Sequence, residues 1–436
     1  MSAKSPLYKK LCQLKSLETA WRVVQQNGLQ SQSPDTYDEV VEFGKNSKAE
    51  LRRLQKELLD RKFRFRPSRG IAAKKKGKTK KRPIVSSPVR ERVVQRAILD
   101  RLQKHPAIKR GLRAGFNYGG LNDLGVPAAV GHAYQVAQSH KFFIRTDIKS
   151  FFDKVPRARA IAPILDAVKH DQDFSMLFTE AVTTELENLA ALPPEDQRLF
   201  PLGETGLPQG SALSPLVCNL YLADFDREFN SRGIVCIRYI DDFILFARDE
   251  KSGRATFTKA LKMLADLGLE AYDPRDGSKK AEEGAVAKGF EFLGCKVFGK
   301  QVIPNSASRS RLLKKIRDVF SESLKLSVKP REALRRELTY THALVRVSNI
   351  VRGWGNTYFF CNDERIFTQL DVEIDREVLD FQGRWDHRTK SLGARDRRLS
   401  LGVRVLEDRK REQSVLTTPP RKIQRKKGSP VSLLPT

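Results

Sequence analysis

The sequence predicts an α+β fold in which a small antiparallel sheet precedes a region built from helices alone. Short runs of apolar and β-branched residues lie between residues 141 and 300, and the stretch "IVCIRYIDDFILFARD" has the pattern strand, tight turn, strand. From about residue 308 onward the apolar residues follow helical spacing instead. The chain has 436 residues and is 40% hydrophobic, so it can bury a sizeable core and suits two or three subdomains.

The N-terminal part is predicted to be helical over residues 5–62, where "SKAELRRLQKELLD" carries leucines at helical spacing. A dense basic run, "RGIAAKKKGKTKKRPIVSSP", follows and leads into a strand-like piece and an amphipathic helix. A basic hairpin on such a base suits the binding of phosphates, whereas a charge run by itself is more often a solvated loop.

The central elements begin with a glycine-rich turn, "GFNYGG", and a strand, "KFFIRTD", that ends in Asp147. Residues 157–200 are predicted to be helical, followed by the Pro- and Gly-rich loop "LPPEDQRLFPLGETGLPQGSALSP". The apolar first half of "LSPLVCNLYLADFDREF" indicates a buried helix beneath a sheet. The strand–turn–strand segment, the helix "RATFTKALKMLADLGL" and a short hairpin strand, "FEFLGCKVFG", complete this part.

The C-terminal part is predicted to contain helices over "RSRLLKKIRDVFSESLKL" and around residues 331–351 and 364–380. Residues 383–436 are basic and of lower complexity, so we predict a tail that is disordered or orders only on binding.

The charge balance indicates a polyanionic partner. Lys and Arg number 81 against 52 Asp and Glu, a net charge of +29, and nucleic acid is the commonest partner of so basic a chain. The alternative is a soluble protein that is merely rich in lysine.

The five cysteines are widely scattered and form no metal-binding spacing, which favours reduced thiols in a cytoplasmic protein. No signal-peptide core and no apolar run of about 18 residues is present, so no membrane association is expected.

Acidic residues occur twice at predicted strand ends. Asp147 ends one strand, and Asp241 and Asp242 are predicted to occupy the turn of the hairpin. If these strands are neighbours in one sheet, the three carboxylates converge, and divalent metal is the sensible way to keep them ionised. Oxygen ligands favour Mg²⁺ or Mn²⁺, and a pair of such ions suits attack on phosphorus. The alternative is that Asp is simply a good turn former.

Four strings occur here in the order and spacing of the reverse transcriptase palm: "RTDIKSFFD", "GLPQGSALSPLVCNLYL", "RYIDDFILFA" and "FEFLGCKV". The chain therefore resembles a reverse transcriptase, an RNA-directed DNA polymerase with nucleotidyltransferase activity. The resemblance implies a right-hand polymerase architecture with fingers, an antiparallel-sheet palm and a helical thumb. It implies these regions: an N-terminal helical region 1–62, fingers 63–140, catalytic palm 141–300, thumb 301–382 and basic tail 383–436.

The resemblance also implies a metal site with two Mg²⁺ ions, or Mn²⁺. Asp147 matches the first metal-binding acid, with the Ile148 carbonyl as an additional ligand. Asp241 and Asp242 match the acid pair of the Tyr-x-Asp-Asp box, in which the first acid binds metal firmly and the second is more peripheral.

For the nucleotide, the resemblance assigns Phe152 to the aromatic that blocks a ribose 2′-hydroxyl, with ordinary core packing as the alternative. Gln209 and Gly210 match the loop that approaches the incoming base pair, and Arg82 matches the fingers arginine that closes on the triphosphate. Lys78, Lys80 and Lys81 are further basic neighbours of Arg82. The lysine that the family carries after the helix ending in "LADLGLEAYD" is either Lys279 or Lys280, because the usual motif is degraded here to "DPRDGSKK".

For the primer and template, Tyr239 is expected near the primer end. "FEFLGCKV", with Gly294, resembles the primer grip, and "VRGWGNTYFF", with Trp354, resembles part of the thumb. The expected partners are deoxynucleotides, a DNA product and an RNA template, with no membrane partner.

Within the class, the details resemble bacterial group II intron-type enzymes. The family's Gly-Phe-Arg element has Asn117 in place of arginine. The sequence shows no Cys/His cluster of the kind that would indicate a nuclease. The chain most resembles stand-alone, defence-associated enzymes that copy a dedicated non-coding RNA during phage infection. The alternatives are a retron, an intron maturase-type reverse transcriptase, and an RNA-binding maturase that does not polymerise. An RNA-dependent RNA polymerase would usually carry Gly-Asp-Asp and lack the blocking aromatic.

Overall fold

The computed structural model of the protein describes residues 7–31, 33–74, 81–121, 124–230 and 234–406. The chain divides into two compact units, Met1–Val302 and Ile303–Thr436. The division falls two residues beyond the end of the predicted palm at residue 300. The remaining predicted domain boundaries stay predictions.

The first unit begins with helices. Of the four leucines that the sequence places at helical spacing in the fourth helix, Leu51, Leu54 and Leu58 are buried, whereas Leu59, its last residue, is 55% exposed. The third helix starts at Pro34, and the side chain of Ser33 caps it by accepting a hydrogen bond from the backbone N–H of Thr36. These helices are α1 (Leu7–Leu11), α2 (Leu14–Leu29), α3 (Pro34–Lys45) and α4 (Ser47–Leu59).

The basic run forms an antiparallel hairpin whose strands pair from Arg69 opposite Ser86 to Lys74 opposite Lys81. Its tip, residues 75–80, lies outside the described residues, and so do the predicted Lys78 and Lys80. The hairpin and the helices after it are β1 (Arg69–Lys74), β2 (Lys81–Ser86), α5 (Val89–Leu102) and α6 (Pro106–Leu112).

A five-stranded sheet lies at the centre of the unit, with strand order β3-β5-β6-β4-β7. Pairing within it is antiparallel except between its first two members, which run parallel. Its central strands are buried along most of their length because they are built from Phe, Ile, Leu and Cys. The strands are β3 (Phe116–Asn117), β4 (Phe142–Asp147), β5 (Val235–Tyr239), β6 (Asp242–Ala247) and β7 (Glu282–Ala285).

Helices between and after these strands cover the sheet. The predicted buried helix is present, and it holds its apolar residues within the core. The helices are α7 (Val126–Ala137), α8 (Phe151–Lys154), α9 (Arg157–Val168), α10 (Gln172–Val182), α11 (Pro194–Gln197), α12 (Ser214–Tyr221), α13 (Ala223–Glu228) and α14 (Glu250–Asp266).

The expectation of helix throughout residues 157–200 is wrong just beyond Val182, although a 3-10 turn (Leu189–Ala191) and α11 (Pro194–Gln197) follow. The backbone there becomes extended and pairs with the start of the hairpin: Ser68 donates to the Glu185 carbonyl at 2.8 Å, and Glu187 donates to the Ser68 carbonyl at 3.0 Å. A tertiary pairing has therefore overridden the local helical pattern. Two prolines, Pro193 and Pro194, follow this segment.

A second sheet has three strands in the order β10-β9-β8. The strands Phe290–Phe292 and Cys295–Phe298 form an antiparallel hairpin in which Phe292 pairs with Cys295. The two turn residues, Leu293 and Gly294, both have positive φ, 49° and 82°, as a type I′ turn requires. The strands are β8 (Phe290–Phe292), β9 (Cys295–Phe298) and β10 (Gln301–Pro304).

The second unit, as predicted, is helical within the described residues. A buried cluster of apolar side chains joins its long helices, and the rings of Phe320 and Phe381 stack at 4.2 Å between centroids. The helices are α15 (Ser306–Leu326), α16 (Pro330–Arg335), α17 (Tyr340–Tyr358), α18 (Glu364–Thr389) and α19 (Ala394–Ser400).

Helix α18 crosses the predicted start of the tail at residue 383. It continues because Phe381 and Trp385, one turn apart, are each 1% exposed in the core of this unit. The rest of the predicted tail, from residue 407, lies outside the described residues.

All five cysteines are buried, and none takes part in a disulfide: Cys12, Cys218, Cys236, Cys295 and Cys361. Within the described ranges, every helix is too short or too polar to cross a bilayer.

Candidate active site

Asp147 and Asp242 face each other across neighbouring strands. Asp147 is the last residue of β4 and Asp242 is the first residue of β6, and the antiparallel register pairs them directly. Directly opposed residues of an antiparallel pair lie about 4.5–5.5 Å apart. The predicted convergence of these carboxylates at one edge of the sheet is therefore seen in the structure.

Asp241 alone of the acid pair lies in the hairpin turn, whereas the sequence placed both acids there. Tyr239 pairs with Asp242, which leaves Ile240 and Asp241 as the two turn residues. Ile240 has a φ of 60°, an uncommon conformation for a β-branched residue. The backbone N–H of Ile148 donates to the Asp241 carbonyl at 3.0 Å, which ties the turn to the residue after Asp147.

The clustered carboxylates perturb one another. Burial, followed by the charges of Asp147 and Asp242, raises the pKa of Asp241 to about 7. Burial and the charge of Asp147 raise the pKa of Asp242 to about 6, although Arg145 and Lys280 oppose that rise. A cation bound among these groups would reverse the effect and keep them ionised.

Lys280, and not Lys279, contacts the acids. Its ammonium group forms an ion pair with the Asp147 carboxylate and lies 4.5 Å from the centroid of the Tyr272 ring. Burial disfavours charge on Lys280, but the hydrogen bond and charge of Asp147 outweigh it and raise its pKa. The sequence left the choice between the two lysines open because the motif around them is degraded.

The donors at this edge fit a divalent ion of the magnesium type. Among the described residues, no three side chains of His, Cys, Asp or Glu lie close enough together to hold an ion by themselves. Mg²⁺ does not need such a cage, because it usually takes one or two carboxylates and completes its shell with water and substrate phosphates. Asp147 and Asp241, with the Ile148 carbonyl, are suited to that partial coordination.

Phe152 lies just beyond Asp147, in the short helix α8, and is partly buried against the core. Its backbone carbonyl accepts a hydrogen bond from the Leu207 N–H at 2.7 Å. One residue along, the Asp153 carboxylate accepts from the Gln209 side chain at 2.6 Å. The segment that carries Phe152, the predicted barrier to ribonucleotides, is therefore hydrogen-bonded to the predicted nucleotide-binding loop at Gln209.

The loop at Gln209 and Gly210 is also bonded to the basic hairpin of β1 and β2, which lies in the predicted fingers. The Val85 N–H donates to the Gln209 carbonyl at 2.8 Å. Gly210 has a φ of 124°, and a Cβ there would lie 2.5 Å from the Val85 carbonyl oxygen. Glycine is required at this position both by the backbone conformation and by the close approach of β2.

Arg82 is exposed on β2, opposite Ala73 in the hairpin. Its neighbour Lys81 is held by the Asp196 carboxylate, with both oxygens 2.7 Å from the ammonium nitrogen. Lys81 is therefore engaged by a carboxylate in this structure.

Residues 73–297, just over half of the chain, match the family model described as reverse transcriptase (RNA-dependent DNA polymerase). The chain belongs to the reverse transcriptase family. The predicted enzyme class, RNA-directed DNA polymerase, and the predicted right-hand polymerase architecture are those of this family.

Individual relatives are distant. Protein YkfC of Escherichia coli (strain K12) is 22% identical over 294 residues, which cover 58% of this chain and 72% of YkfC. The "Uncharacterized 91 kDa protein in cob intron" of Schizosaccharomyces pombe is 27% identical over 183 residues, 40% of this chain and 21% of that protein. A chain of the solved "Partial Cas6-RT-Cas1--Cas2 complex" has 20% identity and a TM-score of 0.35, over 60% of this chain and 42% of the other.

The predicted kinship with intron-type reverse transcriptases agrees with the family match and with the similarity to the cob intron protein. The reverse transcriptase described here spans only about a fifth of the length of the intron protein.

The remaining predicted residues of this reverse transcriptase lie on separate elements. Tyr239 ends β5, directly before the acid turn, and Gly294 forms the turn between β8 and β9. Trp354 is on α17 of the second unit, partly buried, with its ring 4.7 Å from that of Tyr358. Roles for these three residues in primer or template binding stay predictions.

The sequence analysis missed a buried polar network behind the acid turn. Arg238 on β5 is fully buried and forms an ion pair with Asp226, which is 3% exposed. It also donates to Asn219 and to the Ile240 carbonyl. A signal was available, since an arginine within the apolar strand "VCIRYI" and an acid within the buried helix "LADFDREF" need partners.

Proposed function

We propose that this reverse transcriptase copies RNA into cDNA at Asp147, Asp241 and Asp242 by phosphoryl transfer with two divalent ions. The observation that carries the assignment is the register of the sheet, which sets Asp147 opposite Asp242 and bonds Asp241 to Ile148. Three acids retained and brought together are what a polymerase needs, and a maturase that only binds RNA has no use for them.

Two Mg²⁺ ions, or Mn²⁺, when bound would activate the primer 3′-hydroxyl and neutralise charge on the transferring phosphate. Asp147 and Asp241 would hold them, and Asp242 would add its charge from across the strand pair. Lys280 occupies the Asp147 carboxylate in this structure, so we expect it to move towards the phosphates when metal binds there.

Deoxynucleotide selection is assigned to Phe152, whose ring would fill the space that a ribose 2′-hydroxyl requires. Arg82 and Lys81 would bind the triphosphate, and the loop at Gln209 and Gly210 would approach the new base pair. The hydrogen bonds from Leu207 and Gln209 to the Phe152 segment support a single nucleotide pocket built from these parts.

The acids are tested by replacing Asp241 and Asp242 together with Ala. We expect primer extension on an RNA template to be abolished while the melting temperature stays the same or rises, because the change relieves repulsion between buried charges. Asp266→Ala, which removes an exposed carboxylate from α14, is the matched control and should extend primers normally. Primer extension by the double variant would show that the site is elsewhere.

We further propose that the template is a dedicated, structured non-coding RNA and that the activity serves anti-phage defence. This rests on the sequence resemblance to defence-associated enzymes and on the net charge of +29. The test is to purify the protein from its native host and to sequence the RNA and DNA that accompany it. One abundant RNA with matching cDNA supports the proposal, while mixed cellular RNAs without cDNA would favour a maturase.

A further inference from the structure

Arg238 is enclosed on every side by groups that accept its hydrogen bonds. Its Nε donates to one Asp226 oxygen at 2.7 Å, and its Nη2 donates to the other oxygen, which is the two-pronged arrangement of a guanidinium on a carboxylate. The remaining nitrogen, Nη1, donates to Asn219 Oδ1 at 2.9 Å and to the Ile240 carbonyl at 2.8 Å. Asp226 and Asn219 thus fix the guanidinium, and its Nη1 bonds the acid turn through the Ile240 carbonyl.

The Ile240 carbonyl belongs to the peptide that joins Ile240 to Asp241. The next carbonyl, that of Asp241, is held from the opposite strand by the Ile148 N–H at 3.0 Å. Asp241 is therefore bracketed by two hydrogen bonds, one from Arg238 and one from the residue after Asp147. Its Cα has little freedom to move relative to Asp147.

The turn needs this support because Ile240 has a φ of 60°, which a β-branched residue adopts at a cost in free energy. The glycine-rich element packs against it from behind. A Cβ on Gly119 would lie 2.6 Å from the Ile240 nitrogen, and the Gly119 carbonyl accepts from the Asn219 side chain at 2.7 Å. Asn117, in the place of the family's arginine, accepts from the Gly119 N–H at 3.2 Å.

We propose that Arg238 is a positioning residue for catalysis: its guanidinium, set by Asp226 and Asn219, holds the Ile240 carbonyl so that Asp241 presents its carboxylate to metal beside Asp147. The inference rests on the proposed function of the acids. The alternative is that Arg238 only completes a buried ion pair. The ion pair with Asp226 uses two guanidinium nitrogens, whereas the third nitrogen bonds the turn.

The two roles separate in the double variant Arg238→Met with Asp226→Leu. Replacing both members of a buried ion pair by apolar residues often leaves stability near that of the parent, whereas removing one member leaves a buried charge unpaired. A purely structural role predicts that activity returns with stability. The positioning role predicts a folded protein with a defective metal site.

The matched control is Glu91→Gln on α5, which weakens the ion pair between the buried Glu91 carboxylate and Arg66 and leaves Arg238 and its partners unchanged. We expect it to melt at a lower temperature than the parent while it retains the rate and the metal affinity. If the double variant does not fold, Arg238→Lys decides, because lysine keeps a cation beside Asp226 but lacks the planar fork with which Arg238 bonds Asp226 and the Ile240 carbonyl at once.

Two readouts apply to each variant. Mn²⁺ affinity is measured by electron paramagnetic resonance with a chain-terminated primer–template and a deoxynucleotide present, so that no turnover occurs. Primer extension gives kcat and the KM for the nucleotide. For the double variant, or for Arg238→Lys, we expect Mn²⁺ affinity and kcat to fall by about 10- to 100-fold, with KM little changed, as is typical when groups that orient metal ligands are lost.

Parent-like Mn²⁺ affinity and kcat in that variant would overturn the proposal. An equal loss in Glu91→Gln would also overturn it, because lower stability alone would then account for the defect. Failure of the proposed function itself looks different. If the acids are not the catalytic site, the variant with Ala at both 241 and 242 would still extend primers, whatever activity the Arg238 variants show.

Discussion

Asp241 and Asp242 are adjacent in the chain but lie in different surroundings. Asp241 is in the turn, where burial and two neighbouring carboxylates raise its pKa to about 7. Asp242 is in the strand, where Arg145 and Lys280 partly balance its charge. Asp241 therefore experiences the charges of two neighbouring carboxylates, and its role as the firmer metal ligand of the pair stays a prediction.

Phe152→Ala should admit ribonucleotides, because the ring is the bulk expected beside the sugar. We expect the preference for dNTP over rNTP, expressed as the ratio of kcat/KM values, to fall by at least about 10-fold, the effect of lost steric exclusion worth roughly 1.4 kcal/mol. Steady-state incorporation of a single dNTP or rNTP measures the ratio.

Phe152→Tyr is the matched control, since it keeps the ring and should keep the preference. Unchanged discrimination in the alanine variant would assign Phe152 to core packing, the alternative that the sequence left open, and would place the gate on another residue.

The sequence located the acids because their signal is local: each follows a run of strand-forming residues. Lys280 could not be chosen over Lys279 in that way, because its partner Asp147 is 133 residues away in the chain. Arg238 was missed for a related reason. Its burial is visible in the sequence as a charge within an apolar strand, but its bond to the Ile240 carbonyl depends on the turn geometry, which local patterns do not give.

At the level of elements, the loop at Gln209 connects parts that are distant in the chain. Its backbone is bonded to β2 through Val85, and the Gln209 side chain is bonded to Asp153 within α8. The fingers hairpin and the short helix that carries Phe152 are therefore linked through one loop. A shift of β2 on nucleotide binding would be transmitted to the sugar pocket through these two contacts.

Gly210→Ala tests that connection. The new Cβ would lie 2.5 Å from the Val85 carbonyl in a backbone conformation that alanine rarely adopts, so the loop or β2 must move. We expect a loss of stability of about 1–3 kcal/mol and a raised KM for dNTP. Thermal melting and steady-state kinetics measure the two effects.

Gly203→Ala is the control within the same stretch, because a Cβ there meets nothing within 4 Å. If both variants behaved like the parent, the loop would be more pliable than its hydrogen bonds indicate.

The extended segment after Val182 illustrates the limit of prediction at this scale. Residues 183–187 look helical by composition, yet they pair with Ser68, more than 100 residues earlier. That choice depends on a partner strand whose position only the folded molecule defines.

For the whole molecule, the net charge of +29 favours binding to polyanions, whereas it does not determine the fold. Contact with RNA is expected to be chiefly to phosphates, so affinity should fall steeply with salt. The slope of log K against log salt concentration should be about −0.7 for each phosphate neutralised on single-stranded RNA and about −0.9 on a duplex.

Fluorescence anisotropy with a labelled RNA, at constant Mg²⁺ between low and high monovalent salt, measures this slope. A value near zero would mean that stacking and base contacts dominate, and that the basic residues serve solubility instead. The acid variant with Ala at 241 and 242 should give the same slope as the parent, since its basic surface is unchanged.

The burial of every cysteine has a practical consequence for watching this enzyme work. The parent has no exposed thiol, so maleimide dyes should react with it slowly under native conditions. One cysteine placed on an exposed position, such as Lys104 near the end of α5, would then take a single fluorophore. Because the native cysteines are buried, they would not need to be replaced before the enzyme is labelled for single-molecule recordings.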